Sequence, residues 1–344
     1  MEAVLITGAS GYIGKHVTLQ LLNQGYNVRA SVRNLSKASE VRDAVTPHLL
    51  DSSDVDARLT FVELDLEKDS GWGEALNGID VLLHTASPFP LASPKDENDL
   101  IRPAVDGTLR ALRAAQNAGV KRVILTSSVA AIYGCELPTG KTEFDETLWT
   151  DINHPVGRGA YTKSKTLAEK AAWDFVKNSA PEIALTTINP VLVLGPPLDK
   201  NFGSSMSVVE RILNGKDPML PDLNFSIVDV RDVAQMHVVA IKNEASKGER
   251  ILAASETISF VGAAKYLKSI YPKSKTKTAQ APTFLIKFLS LFDGTIKSIL
   301  PQLGKPMKVS GEKAHQLLGI NFIPAKVSLK DSADYLVKNG FIKS

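Results

Sequence analysis

Along the first two hundred residues, short apolar runs alternate with stretches whose apolar positions recur every three or four residues. The runs at 3–7, 27–32, 60–64, 80–85, 122–126 and 184–188 read as strands. Between them, Ile13, Val17, Leu21 and Leu22 share one face of a helix predicted over 13–23. Val105, Leu109, Leu112 and Ala115 do the same over 103–118, and a longer helix is predicted over 160–178. Strands alternating with helices predict a parallel sheet with helices on both sides.

The pattern loosens after Asn189. Pro190, Gly195, Pro196, Pro197, Gly203, Pro218 and Pro221 crowd one stretch, which reads as loops and short helices. A strand is predicted over 225–230, a helix over 232–242 and a last strand over 250–253. Further helices are predicted over 262–271, 283–300, 311–318 and 328–339. The expected architecture is α/β, a Rossmann-type doubly wound parallel sheet with a smaller, mostly C-terminal substrate lobe. Residues 1–190 would form the first, with 223–257 returning to it, and 191–222 and 258–344 the second. The active cleft is expected between them.

Composition narrows the class. The 344 residues are 44% hydrophobic and 22% charged, ordinary for a soluble globular chain. The single cysteine, Cys135, excludes an intramolecular disulfide, and no Cys/His framework suggests a metal. Forty basic against 37 acidic residues, with no long basic run, argue against a nucleic-acid surface. The N-terminus runs straight into a strand and lacks the features of a secretory leader, so the cytosol is the expected compartment. Lys287, Asp293 and Lys297 interrupt the apolar segment 284–300, which is too short and too charged to span a bilayer. It is expected to be a helix packed on the domain, with no membrane partner.

The first strand ends in Thr7-Gly8-Ala9-Ser10-Gly11-Tyr12-Ile13-Gly14, and a helix follows. Gly8 permits a tight turn, Gly11 lets the backbone approach a pyrophosphate, and Gly14 lets the helix pack close to the strand. The free N–H groups of the helix start favour the anion. Gly8, Ser10, Gly11, Tyr12, Ile13 and Gly14 are therefore expected at a dinucleotide. NAD-preferring sites place a carboxylate near the end of the second strand. Here that stretch is Asn27-Val28-Arg29-Ala30-Ser31-Val32-Arg33-Asn34, with no acid before Glu40. Arg33 and Lys37 are placed instead to meet a 2′-phosphate, so the expected cofactor is NADP(H).

Tyr161 and Lys165 open the long helix four residues apart and share a face. A phenol ordinarily titrates near about pH 10. A neighbouring ammonium is expected to bring it toward working pH, which suits general-acid chemistry. The fifth strand ends in Thr126-Ser127-Ser128, where parallel sheets place ligand chemistry. Either serine could bond a carbonyl oxygen beside the tyrosine.

The Gly-x-x-Gly-x-x-Gly spacing resembles the short-chain dehydrogenase/reductase superfamily in its extended branch. Further runs resemble its dihydroflavonol reductase-like group: His84-Thr85-Ala86-Ser87-Pro88-Phe89, Ala104-Val105-Asp106-Gly107-Thr108, Tyr161-Thr162-Lys163-Ser164-Lys165 and Ala168-Glu169-Lys170-Ala171-Ala172-Trp173. Residues 123–128, 189–196 and 228–234 also match, most like the microbial methylglyoxal, ketone and aldehyde reductases. The resemblance implies NADPH-dependent reduction of an aldehyde or ketone. It selects Ser128 over Ser127 and makes Ser128, Tyr161 and Lys165 catalytic. It adds Asp65, Leu66, Thr85, Ala86, Ser87, Pro190, Val191 and Val193 to the cofactor contacts, and Tyr161 and Lys165 are expected to touch the cofactor as well, the lysine at the nicotinamide ribose. Substrate contacts are expected from Phe89, Ser128, Tyr133 and Tyr161, and the protein is expected as a monomer or homodimer.

Three positions depart from relatives. Tyr133 stands where dihydroflavonol reductases carry Asn, and Gly159-Ala160-Tyr161-Thr162 replaces the Asn-Trp-Tyr-Cys-Tyr run of cinnamoyl-CoA reductases. Both argue against the plant substrates. Asp106 stands where many relatives carry Asn. The rival readings are an NAD-dependent nucleotide-sugar epimerase or dehydratase and a non-enzymatic NADP sensor. Val129-Ala130-Ala131 in place of the dehydratases' Asp-Glu argues against the first, and the intact Tyr161–Lys165 pair against the second.

Overall fold

A computed structural model describes residues 2–88 and 96–342. Seven strands form one sheet: β1 (Ala3–Thr7), β2 (Asn27–Val32), β3 (Leu59–Glu63), β4 (Val81–His84), β5 (Arg122–Thr126), β6 (Ala184–Pro190) and β9 (Arg250–Ala253). Their order is β3-β2-β1-β4-β5-β6-β9, and every pairing is parallel. Chain order reverses at β1, which lies between β2 and β4. Such a switch point leaves a crevice at the carboxyl ends of the strands.

The period of two along β1 divides the core into two layers. Val4 and Ile6 face one layer with Val28, Leu83, Ile124 and Ile251, under the helices Tyr12–Asn23 and Val230–Lys242. Leu5 faces the other with Leu82, Val123 and Leu185, under the helices Asn98–Asn117 and Ala160–Ser179. Each such side chain, fully removed from water, contributes about 1.5–3 kcal/mol.

A second sheet joins β7 (Leu192–Leu194), β8 (Asn224–Asp229) and β10 (Glu256–Ser259) in the order β10-β8-β7. It has its own core, including Leu194, Met206, Ile227, Phe260, Leu267, Leu329 and Leu336. The stretch 223–257 is thus shared: β9 joins the large sheet, and β8 pairs in the small one. The Val230–Lys242 helix between them packs on the large sheet. Its N-terminus is capped by buried Asp229, which accepts from the Arg231 N–H at 2.9 Å.

One predicted helix is broken. The span 283–300 divides into helices Thr283–Leu289 and Gly294–Ile299 and a turn of 3₁₀ helix, Leu300–Gln302. Asp293 starts the second piece by accepting from the Ile296 N–H at 3.2 Å, a local signal outweighed in the apolar pattern. Ile286 and Ser290 are buried against the body, but Phe284, Phe288, Leu291 and Phe292 are exposed. The expected packing of this segment on the domain therefore holds for one face only. No helix among the described residues is long and apolar enough to cross a membrane.

Candidate active site

The strand ends at the switch point open into a cleft of about 450 Å³. Gly8 turns the chain out of β1 with φ +71°, and a Cβ there would lie 2.8 Å from Ala86 Cα. A Cβ on Gly14 would lie 2.2 Å from the Gly8 carbonyl oxygen, so only glycine lets the helix sit this close to the loop. Thr7 ties the loop to the end of β4. Its hydroxyl accepts from the Ala86 N–H at 3.2 Å and pairs with His84 Nδ1 at 2.8 Å. The Thr85 hydroxyl donates to the Thr7 carbonyl at 2.6 Å.

Nine of the residues expected at the cofactor line this cleft: Gly8, Ser10, Gly11, Arg33, Lys37, Leu66, Thr85, Ala86 and Ser87. Thr7, Ser31, Val32, Asn34 and Leu64 also line it and were not singled out from the sequence. None of the lining residues carries a carboxylate, and Arg33 stands exposed among them. Lys37 is held at 2.8 Å by Glu40, which also accepts from Lys15 at 3.0 Å. Lys15 is 2% exposed and bonds Asp199 as well. Burial works to raise the Glu40 carboxyl, but hydrogen bonds from Lys37 and Lys15 bring it down to about 2.

The remaining expected cofactor residues stand differently. Tyr12 turns its hydroxyl away to the Gly195 carbonyl, at 2.8 Å, and Ile13 packs against the core behind the loop. Asp65 accepts from the Glu67 N–H at 3.0 Å, as a turn residue does. Pro190 ends β6, and Val193 is buried in the core of the large sheet. Asp106, the third departure from relatives, is exposed on its helix.

Beyond the cleft, β5 delivers the two serines, and the helix Ala160–Ser179 delivers Tyr161 and Lys165. The Tyr161 hydroxyl reaches Ser128 Oγ at 3.5 Å, and Ser128 Oγ also accepts from the Ala130 N–H at 3.1 Å. Ser127 points elsewhere, its hydroxyl bonded to the Glu169 carboxylate. Geometry thus separates two serines that composition alone left equivalent. Burial pushes the Tyr161 phenol above its ordinary value, with the Ser128 hydrogen bond pulling it down. Lys165, expected to be the group that lowers it, is itself desolvated and brought down to about 8, Glu169 acting to raise it.

A buried polar network backs these residues. Glu169 lies one turn beyond Lys165 and accepts from Arg250 Nε at 2.6 Å, Asn189 Nδ2 at 2.7 Å and the Thr187 hydroxyl at 3.2 Å. Asn189 Nδ2 also donates to the Ser128 carbonyl at 3.1 Å. Arg250 donates to the Glu146 and Leu148 carbonyls and stacks 3.6 Å over the Trp149 ring. Glu169 was legible in principle, because Tyr161, Lys165 and Glu169 recur every four residues on one helix face. Arg250 gave no such signal.

A second, smaller cavity of about 130 Å³ adjoins Tyr133 and is walled by Val129, Val191, Leu192, Phe225, Met307 and Val309, with Gln302. Burial and neighbouring Tyr161 raise the Tyr133 phenol, and hydrogen bonds to Thr162 and Gln302 oppose them. Of the expected substrate contacts Tyr133 stands here, and Val191, expected at the cofactor, lines this cavity instead; Phe225, Gln302 and Met307 were not singled out. Phe89 lies outside the described residues.

A glycine loop at the switch point of a parallel sheet, leading to a serine–tyrosine–lysine group, defines an extended short-chain dehydrogenase/reductase. The chain belongs to the NAD dependent epimerase/dehydratase family, whose family model it matches over residues 4–254. It is 32% identical to the cinnamoyl-CoA reductase CAD2 of Medicago truncatula, over 99% of this chain and 97% of the relative. Its structure is similar to that of Gre2 of Candida albicans in complex with NADPH, with a TM-score of 0.80 and 28% identity, covering 98% and 99% of the two chains. It is similar in the same way to the yeast methylglyoxal/isovaleraldehyde reductase Gre2 complexed with NADPH, with a TM-score of 0.79 and 27% identity over 98% and 99%.

Proposed function

We propose that this protein is an NADPH-dependent carbonyl reductase that converts an aldehyde or ketone to an alcohol in the cytosol. The observation that carries this is the meeting of the Tyr161 and Ser128 hydroxyls beside a cleft lined by cations and no carboxylate. The NADPH-bound Gre2 reductases support it.

The cleft residues fit the cofactor. A Cβ on Gly8 or Gly14 would meet backbone, so the loop keeps its N–H groups open to a pyrophosphate. Arg33, with Lys37 beside it, suits a 2′-phosphate. NADPH, when bound, supplies the hydride.

The chain's own groups supply orientation and the proton. Ser128 Oγ is held by the Ala130 N–H and donates to the substrate oxygen. Tyr161 O–H gives that oxygen its proton as negative charge develops there. Lys165 acts as an ammonium behind the phenol, and Glu169 sustains its charge. The apolar wall of Val191, Phe225, Met307 and Val309 favours a hydrophobic carbonyl compound.

The test is NADPH consumption with a panel of aldehydes, diketones and β-keto esters, with chiral analysis of the products. Turnover of several hydrophobic carbonyls with NADPH, and little with NADH, is expected. No oxidation with any member, or tightly retained NAD in the purified protein, overturns the reading.

A further inference from the structure

The broken segment after residue 282 presents its apolar side outward. Phe284, Phe288, Leu291 and Phe292 are 76%, 57%, 75% and 78% exposed. Their spacings of four, three and one put them on one side of the helical turn and its continuation. The rings of Phe288 and Phe292 meet edge to face at 5.5 Å, so the exposed side is a contiguous apolar ridge. Ile286 and Ser290 hold the opposite side against the body. An amphipathic helix that merely packs on a domain has the reverse arrangement. A contiguous exposed apolar ridge marks a contact surface.

Charge identifies what it contacts. Residues 273–308 carry Lys273, Lys275, Lys277, Lys287, Lys297, Lys305 and Lys308 against Asp293 alone. The rest of the chain holds 33 basic and 36 acidic residues, so the positive excess of the whole protein resides in this one stretch. All seven lysines are exposed, and none is paired with a carboxylate among the described residues. A second copy of the chain is a poor occupant, because a two-fold contact would set this lysine-rich stretch against itself. Phenyl and leucyl side chains with the unpaired Lys287 and Lys297 on the same two helical pieces match the physical requirements of an anionic lipid surface. The rings enter the boundary between headgroups and acyl chains, and the ammonium groups remain at the phosphates.

We propose that the exposed face of residues 284–292, with its flanking lysines, docks this protein peripherally on anionic lipid surfaces. The proposal does not depend on the carbonyl reductase reading, since neither the ridge nor the lysines belong to the cleft or the serine–tyrosine–lysine group.

The experiment is co-sedimentation of the full chain with phosphatidylcholine vesicles, with and without roughly a third phosphatidylglycerol, at low and high salt. Partition onto the anionic vesicles is expected to exceed that onto phosphatidylcholine alone at least tenfold and to fall in high salt. The variant combining Phe284→Ser, Phe288→Ser, Leu291→Ser and Phe292→Ser should lose at least tenfold in partition with an unchanged thermal transition. The variant combining Lys287→Glu and Lys297→Glu should weaken binding to the anionic vesicles selectively. Absence of wild-type binding, or equal binding by the serine variant, overturns the proposal. A wild-type dimer that the serine variant converts to monomer in sedimentation velocity also overturns it, assigning the ridge to a second copy.

Discussion

Glu169 and Arg250, 81 positions apart in the chain, form a buried ion pair at 2.6 Å behind the two serines that follow β5. Glu169 also takes the Ser127 hydroxyl and Asn189, and Asn189 holds the Ser128 carbonyl. The pair therefore connects the last strand of the large sheet to the backbone of the residue that faces Tyr161.

Removing one partner should expose its role. Arg250→Met takes from buried Glu169 its ion-pair partner and also removes the stack on Trp149. A loss of about 3–5 kcal/mol is expected in urea unfolding. A loss under about 1 kcal/mol would show that the pair behaves like a solvated one.

Lys165 sets an alkaline limit. Its ammonium is brought down to about 8 by desolvation, so it is charged below that pH and neutral above it. The value of kcat/KM should decline as pH rises through about 8. Glu169→Gln removes the charge that works to raise Lys165, so the decline should move to lower pH. An unmoved alkaline limb would separate it from Lys165. The stability sign is opposite: the unfolded chain binds this proton more tightly, so Lys165 opposes folding at neutral pH. That penalty fades as pH rises from about 8 toward the ordinary lysine value.

Tyr161→Phe keeps the ring and removes the proton. It should lower kcat by about 10²–10⁴. NADPH affinity, followed by fluorescence titration, should change less than about threefold, because the substitution leaves the glycine loop and Arg33 intact. Turnover close to wild type would sink Tyr161 as the proton donor.

Arg33→Ala should raise the KM for NADPH about tenfold, the loss expected for one charge-assisted bond, with NADH kinetics unchanged. Lys37→Ala should do less, because Lys37 is already committed to Glu40 at 2.8 Å. Equal effects on NADPH and NADH would remove the 2′-phosphate from the account of Arg33.

Much of the fold is local enough to be legible without coordinates. The bounds of β1, β2, β5 and β9 match the predicted strands, because the residues that each strand buries lie next to one another or two apart in the chain. The start of the glycine-loop helix and the Tyr161–Lys165 spacing were legible for the same reason. Strands β7 and β10 and the helix Met206–Leu213 were not, being short pieces that form through packing in the small sheet's core.

By itself, the sequence determined the alternating strands and helices, the three glycines, the carboxylate-free end of β2 and the Tyr-x-x-x-Lys pair. Each is encoded within a few residues by periodicity, backbone freedom or charge. Only the tertiary structure decided that Ser127 turns to Glu169, that Tyr12 turns to Gly195, and that Arg250 stands behind Glu169. It also decided that Phe284, Phe288, Leu291 and Phe292 face outward. These depend on which groups remote segments bring together once water is excluded, and residue spacing along one chain does not carry that information.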